Sequence, residues 1–296
     1  MLSIDPSSLA VPKLHSYLLG AVAPRPIAFA STIDKEGQVN LSPFSFFNVF
    51  SSNPPTLIFS PARRGRDNTT KHSFENVKEV AECVINIVNF DMVQQMSLSS
   101  VEYPKGVNEF IKSGLTPIAS EVVKPPRVKE SPVQMECIVK QVIELGNQGG
   151  AGNLVICEIV RIHIQEDILD QNGNIDPFKI DQVARLGGDW YCRVKPGLFE
   201  VEKPNTKLGI GVDQIPSDIR FSKILTGNNL GQLGNVEALP DETSVNEYKL
   251  TELADLFIDL EDNPSLLEQR LHERAAQLLE EGKIQEAWMT LLAFNN

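Results

Sequence analysis

Between Arg25 and Asn76, short apolar and aromatic runs alternate with turn residues, a pattern that restricts most of the region to short strands. Arg25-Pro26 opens the first, and Ile27-Ala28-Phe29-Ala30 suits a half-buried strand with large and small side chains on opposite faces. Asp34-Lys35-Glu36-Gly37 predicts a hairpin turn with Gly37 free to take positive φ. A polar, Pro-punctuated stretch follows, Asn40-Leu41-Ser42-Pro43-Phe44-Ser45-Phe46-Phe47-Asn48. Strand alternation there predicts core packing for two of Phe44, Phe46 and Phe47. A break at Pro54-Pro55 precedes another strand, Leu57-Ile58-Phe59-Ser60.

Residues 60–73 then gather Arg63, Arg64, Arg66 and Lys71 beside Thr69, Thr70 and Ser73, just before Phe74-Glu75-Asn76. A helix opening after Thr70 or Ser73 would present unpaired backbone N–H groups and the positive end of its dipole. Arginine forks, a lysine, hydroxyls and a helix N-terminus together match the needs of a phosphate monoester. A solvated turn ending in an N-cap would look the same in isolation. The polar loop upstream is what favours the anion site.

The rest of the composition narrows the class. The 296 residues leave room for one large domain or two average ones, and the 42% hydrophobic fraction is ordinary for a globular chain. No run approaches the roughly 18 apolar residues of a membrane helix. Met1-Leu2-Ser3-Ile4-Asp5-Pro6 lacks the basic and apolar regions of a secretory signal. Cys83, Cys137, Cys157 and Cys192 are widely spaced and mostly in apolar contexts, which predicts reduced thiols in a cytoplasmic protein. Scattered histidines argue against structural zinc. Of the net charge of −12, residues 236–296 carry −10, from 14 acidic and 4 basic residues. The remainder is near neutral with one basic loop, so no basic face suits nucleic acid, and the acidic tail reads as a solvated helical surface.

Along the chain, a short helix is predicted near residues 11–19, helical spacing over 76–83, and a buried strand at Cys83-Val84-Ile85-Asn86-Ile87-Val88. Residues 91–100 read as a helix with Met92, Val93 and Met96 facing the core, and residues 108–113 as a short helix ended by Gly114. Residues 117–126 read as irregular. Residues 133–145 and 153–165 form two β-rich segments around the glycine-rich loop 146–152, which no helix follows, so it reads as a hairpin and not a dinucleotide loop. A third β-rich piece is predicted near residues 184–190. Asp170 to Asp176 reads as an Asn-Gly turn, because a calcium loop requires glycine where Ile175 stands. Lys203-Pro204-Asn205 reads as a linker, followed by loops at 208–213 and 225–231. Helices are predicted over 250–260, from Asn263-Pro264 to Glu281, and over 283–293.

The motifs of residues 25–76 resemble those of the flavin reductase-like, FMN-binding split-barrel family, which includes the flavoredoxins. That family shows an R-P-x-A/V strand, an N-x-x-P-x-S-x-x-N loop, a P-P pair and a K-D-T-x-x-N element. The chain carries Arg25-Pro26-Ile27-Ala28, the Asn40 to Asn48 stretch, Pro54-Pro55 and Lys71-His72-Ser73-Phe74-Glu75-Asn76. His72 replaces the aspartate, and Ser73 keeps the hydroxyl of the threonine. The resemblance spans about residues 10–200. It implies a mainly β fold with α, an FMN-binding split β-barrel with peripheral helices, occupying residues 1–202. Residues 203–296 would form a loop-rich, then helical, acidic C-terminal extension.

The resemblance also implies a site. Phosphate would rest on Arg64, Arg66, Lys71 and Ser73, and the isoalloxazine on the Asn40 to Asn48 loop. Ser45 and Asn48 would reach the ring edge, with Arg25, Asn40, Ser42, Pro43, Phe46 and Ser60 around it. Tyr191 or Trp190, in the Leu186-Gly187-Gly188-Asp189-Trp190-Tyr191 turn, either stacks near the flavin or packs. The family likeness implies a homodimer and an NAD(P)H:flavin oxidoreductase, a flavin reductase with NAD(P)H as co-substrate. Against this, Gly152-Asn153-Leu154 stands where many NADH-using relatives have Gly-Asp-His. Two rivals remain: an FMN-bound electron carrier serving an electron-acceptor protein, without its own NAD(P)H site, and a barrel with no cofactor.

Overall fold

The computed structural model describes residues 1–204 and 208–295, so Asn205 of the linker reading lies outside the described residues. The chain divides into two compact units, Met1–Phe199 and Glu200–Asn296. The first begins with α1 (Val11–Ala21), then β1 (Ala28–Ile33), β2 (Val39–Phe44), β3 (Phe47–Ser52) and β4 (Pro55–Phe59). Next come α2 (His72–Glu79), β5 (Glu82–Ile87), α3 (Val93–Leu98) and α4 (Glu109–Ser113). A two-residue ladder, β6 (Pro117–Ile118) with β7 (Arg127–Val128), precedes the long β8 (Val133–Glu144) and β9 (Asn153–Ile164). After α5 (Pro177–Ile180), β10 (Val183–Arg185) and β11 (Tyr191–Arg193) form a small hairpin.

Seven strands make one sheet in the order β2-β1-β5-β8-β9-β4-β3. Every pair in it is antiparallel. β2 and β3 stand at opposite ends of that order, yet only Ser45 and Phe46 separate them in the chain. The sheet therefore curls until its edges meet at this corner, giving a barrel closed there and split along the rest.

The barrel interior packs Ala28, Ala30, Phe44, Leu57, Phe59, Ile85 and Val155 with Cys83, Cys137 and Cys157. Those three cysteines are buried free thiols, and Cys192 is half-buried. Ile27, Phe29 and Leu41 point the other way, into a second layer with Met92, Met96 and Phe110. β1 is thus buried on both faces and not half-buried, because α3 and α4 cover its outer side. Phe44 and Phe47 join the barrel core while Phe46 stays 39% exposed. Two of the three pack, as expected, but alternation along one strand would have paired Phe44 with Phe46; the turn at Ser45-Phe46 between β2 and β3 resets the faces.

Other expectations shift. The helix after the basic loop runs His72–Glu79, earlier than residues 76–83, since β5 already claims Glu82 and Cys83. The piece near 184–190 is no single strand: Leu186 N–H donates to the Trp190 carbonyl at 3.0 Å, and the chain turns between β10 and β11.

In the second unit, α6 (Ser217–Arg220), α7 (Gly227–Gly234), α8 (Glu242–Glu252) and α9 (Ala254–Asp259) lead to α10 (Pro264–Glu280) and α11 (Ile284–Leu292). Residues 225–231, expected as loop, open α7 because Thr226 and Asn229 cap one another reciprocally. The helix expected over 250–260 starts at Glu242 and breaks at Leu253. Asn263 caps α10 through Leu266 N–H, with Pro264 in its first turn, and Gly282 closes the hairpin at φ 75°. Trp288, fully buried, ties α11 to α7 through Nε1–H to the Leu233 carbonyl at 3.1 Å. Among the described residues no helix is long and apolar enough to cross a membrane.

Candidate functional site

Beside the corner where β2 and β3 meet lies a cavity of about 320 Å³ in the first unit. Its walls come from α1, the β2–β3 turn, the loop between β4 and α2, the start of α2, the loop between α3 and α4, and Arg185-Leu186. Arg25, Arg64, Lys71 and Arg185 line it against Glu102 and Glu109, four cations to two carboxylates. An anion is the natural guest at its basic end.

The basic loop is held in shape by its own side chains. Arg63 clamps Asn68, Nε to Oδ1 at 2.8 Å and Nη2 to the carbonyl at 2.9 Å, while Asn68 takes the left-handed conformation at φ 59°. Asp67 accepts from the Thr69 hydroxyl at 2.7 Å and backbone N–H at 3.1 Å, which with Arg66 hold its carboxyl down to about 2. Arg64 Nη1 donates to the Thr69 hydroxyl at 2.8 Å and to the Thr70 carbonyl. Lys71 is the N-cap residue of α2 and gives it no side-chain cap, so the helix mouth keeps donors for a guest.

The glycine-rich hairpin between β8 and β9 backs this loop. Gly150 N–H donates to the Arg63 carbonyl at 3.0 Å, and Arg63 N–H to that of Ala151 at 2.9 Å. A Cβ on Gly149 would meet the Gly65 carbonyl oxygen at 3.0 Å and that of Arg64 at 3.1 Å. The glycines thus permit two backbones to touch. Asn153, fully buried, completes the join: its amide donates to the Pro61 carbonyl at 2.8 Å and its N–H to Ser60 Oγ at 3.0 Å.

Of the residues expected at the site, Arg25, Asn40, Ser42, Pro43, Ser45, Phe46, Ser60, Arg64 and Lys71 line the cavity. Asn48, Arg66, Ser73 and Tyr191 do not. Ser73 is fully buried and donates to Asn40 Oδ1 at 2.6 Å. Asn40 Nδ2 in turn donates to Glu109 Oε1 at 2.8 Å, and Leu41 N–H to Oε2 at 3.0 Å. Burial pushes the Glu109 carboxyl above its ordinary range, against the pull of those donors. Ser73 therefore acts on the cavity through Asn40. Tyr191 acts through Arg185, whose guanidinium lies 4.6 Å from its ring centre. Arg66 is exposed on the loop, paired with Asp67 at 3.1 Å and with Glu102. Asn48, on β3, accepts from Val49 N–H at 2.8 Å.

Arg25 lines the cavity but spends its donors on backbone: Leu19 carbonyl at 2.7 Å, Val22 carbonyl at 2.5 Å and Leu186 carbonyl at 2.9 Å, with Ser45 Oγ at 3.5 Å. Burial and neighbouring Arg185 both lower its pKa from the ordinary value. Residues that sequence reasoning missed include His15, Tyr103, Glu102, Glu109 and Arg185. For Glu109 the available signal was Asn108, which caps α4 through Phe110 N–H at 2.9 Å and so fixes where that helix starts. Glu102 carried no local signal. Burial opposes its ionisation, but Arg64 and Lys71 outweigh that and hold its carboxyl below the ordinary range.

The model of the flavin reductase like domain matches residues 20–179. An uncharacterized protein of Halalkalibacterium halodurans is 38% identical over 205 residues, 69% of this chain and 97% of its own length. The crystal structure of nitrilotriacetate monooxygenase component B from Bacillus cereus superposes with a TM-score of 0.63 at 32% identity, over 69% of this chain and 98% of its own. For the 2-nitrobenzoate 2-nitroreductase of Pseudomonas fluorescens the score is 0.62 at 24% identity, over 69% and 98%, a likeness of fold. The chain belongs to the flavin reductase-like family of split-barrel proteins.

Proposed function

We propose that the first unit binds FMN and acts as an NAD(P)H:flavin oxidoreductase. The observation that carries this reading is a cavity cationic at one end and walled by the polar, aromatic β2–β3 corner at the other. The donor set fits the cofactor: Lys71, Arg64 and the uncapped start of α2 would hold the phosphoryl group. The 42–46 stretch, with Ser42, Ser45 and Phe46, would bear the ring. When bound, the flavin supplies the hydride-accepting chemistry. The chain's own work is to orient the ligand, keep water from one side of it, and surround it with positive charge from Arg25 and Arg185. Glu109 and Ser73 hold Asn40 in place as part of the wall. The same reading makes the chain a cytoplasmic homodimer with a barrel domain over residues 1–202 and a helical extension beyond.

The second reading is an FMN-bound electron carrier for a partner protein. Asn153, fixed on Ser60 and Pro61, and Leu154 after it favour that reading, since the family resemblance sets them where many NADH-using flavin reductases have an Asp-His pair. Similarity to one component of a monooxygenase is compatible with either. Anaerobic stopped-flow mixing of the FMN-loaded protein with NADH and with NADPH separates them: rapid bleaching of flavin absorbance is expected of the reductase, and no bleaching with either nucleotide assigns the carrier. Lys71→Met should weaken FMN by about 1.5–3 kcal/mol, one charge-assisted hydrogen bond, and leave riboflavin unaffected. Equal loss of both ligands in a titration would remove Lys71 from the phosphate site.

A further inference from the structure

The cations assigned to the phosphoryl group already share an anion from the chain itself. Glu102 lies in the loop between α3 and α4, 38 residues from Arg64, and its side chain is 34% exposed. Its Oε1 accepts from Arg64 Nε at 2.9 Å and from Lys71 Nζ at 3.5 Å, and Oε2 pairs with Arg66. Arg64 Nη1 is committed to Thr69 and Thr70, so the Nε edge that Glu102 takes is the one turned away from the loop's own contacts. Lys71 Nζ has Glu102 as its ion-pair partner. Glu102 takes the Arg64 Nε donor and one of the three on Lys71 Nζ, so a phosphoryl oxygen arriving there competes for them, and two anions in contact would repel.

We infer that Glu102 is a displaceable internal anion that sets how tightly the phosphorylated end of the flavin is held. The inference rests on the FMN reading of the cavity and deepens it. Without a phosphoryl group, the carboxylate neutralises the cradle; with one, it must withdraw, and the lost ion pairs subtract from the affinity. Withdrawal is open to it. Tyr103 N–H to Val101 at 2.9 Å and Val107 N–H to Pro104 at 3.2 Å are hydrogen bonds internal to the loop, so the barrel ladder need not move. The protein is thereby suited to exchange FMN as a substrate, because the chain supplies a replacement for the leaving phosphate. Riboflavin, which lacks that group, does not compete with Glu102.

The test titrates the full-length wild type and Glu102→Gln with FMN, riboflavin and inorganic phosphate. Glutamine keeps the size of the side chain and removes its charge. FMN is expected to bind the variant about tenfold more tightly, as three partly exposed ion pairs no longer have to be broken. Inorganic phosphate should gain by a similar factor, and riboflavin should change by less than about twofold. Unchanged or weaker FMN and phosphate binding in the variant overturns the inference, even where wild type holds FMN well. Tighter phosphate with no flavin bound by either protein supports Glu102 as the internal anion and rejects the flavin reading instead.

Discussion

Replacing Ser73 by alanine separates two roles for one hydroxyl. The family motif puts that hydroxyl on the phosphate, whereas the structure has it donating to Asn40 Oδ1 at 2.6 Å with Ser73 fully buried. Removing it leaves the Asn40 carbonyl without its donor in a position only 6% exposed. A buried acceptor left unsatisfied costs about 1–3 kcal/mol, which should appear as a lower denaturation midpoint for the first unit. Asn40 is also held by Glu109, so it should loosen without leaving the wall. The cavity then becomes less well ordered for any flavin. FMN and riboflavin should both bind more weakly, by roughly 1 kcal/mol or about fivefold, measured by quenching of flavin fluorescence. A loss confined to FMN, with riboflavin and stability untouched, would refute the positioning role and return Ser73 to the phosphate.

Two further perturbations follow from the same geometry. Glu136 is fully buried and accepts from the N–H groups of Glu121, Val122 and Val123 at 2.8, 2.7 and 3.1 Å, and pairs with His163 at 2.7 Å. Burial raises its pKa, but these donors outweigh it and the net shift is downward, so its stabilisation is present above the ordinary carboxylate pKa and is lost as pH falls through the folded value. Glu136→Gln should abolish that acid-limb loss and cost about 1–3 kcal/mol at neutral pH, with faster amide exchange at residues 121–123; an unchanged acid limb would dismiss the carboxylate as its source. Gly149→Ala drives a Cβ to 3.0 Å from the Gly65 carbonyl and should cost about 1–3 kcal/mol by overpacking, with FMN weakened more than riboflavin. Wild-type FMN affinity in that variant would mean the hairpin does not set the basic loop.

The barrel was legible because its signals are local. The turn at Gly37, the apolar alternation of β1 and the long runs on either side of residues 146–152 each announce themselves within about ten residues. The basic loop was legible for the same reason. What stayed hidden depends on partners far along the chain. β1 reads as half-buried until α3 and α4 cover its outer face, a tertiary event. Ser73 reads as a ligand contact because the sequence cannot show that its hydroxyl bonds to Asn40 across 33 residues. Glu102 and Arg185 reach the cavity from loops with no motif of their own. In α7 the glycines masked a reciprocal cap that uses Asn229 where Glu or Gln is usual.

Arg25 has a consequence of its own. One guanidinium touches the end of α1, the β2–β3 corner and Leu186, the last of them 161 residues away. A planar fork with several fixed N–H directions can do this, and a lysine with a single ammonium cannot. Three stretches of chain that share no sheet ladder are thereby riveted into one frame around the opening, so a push on any of them is felt by the other two.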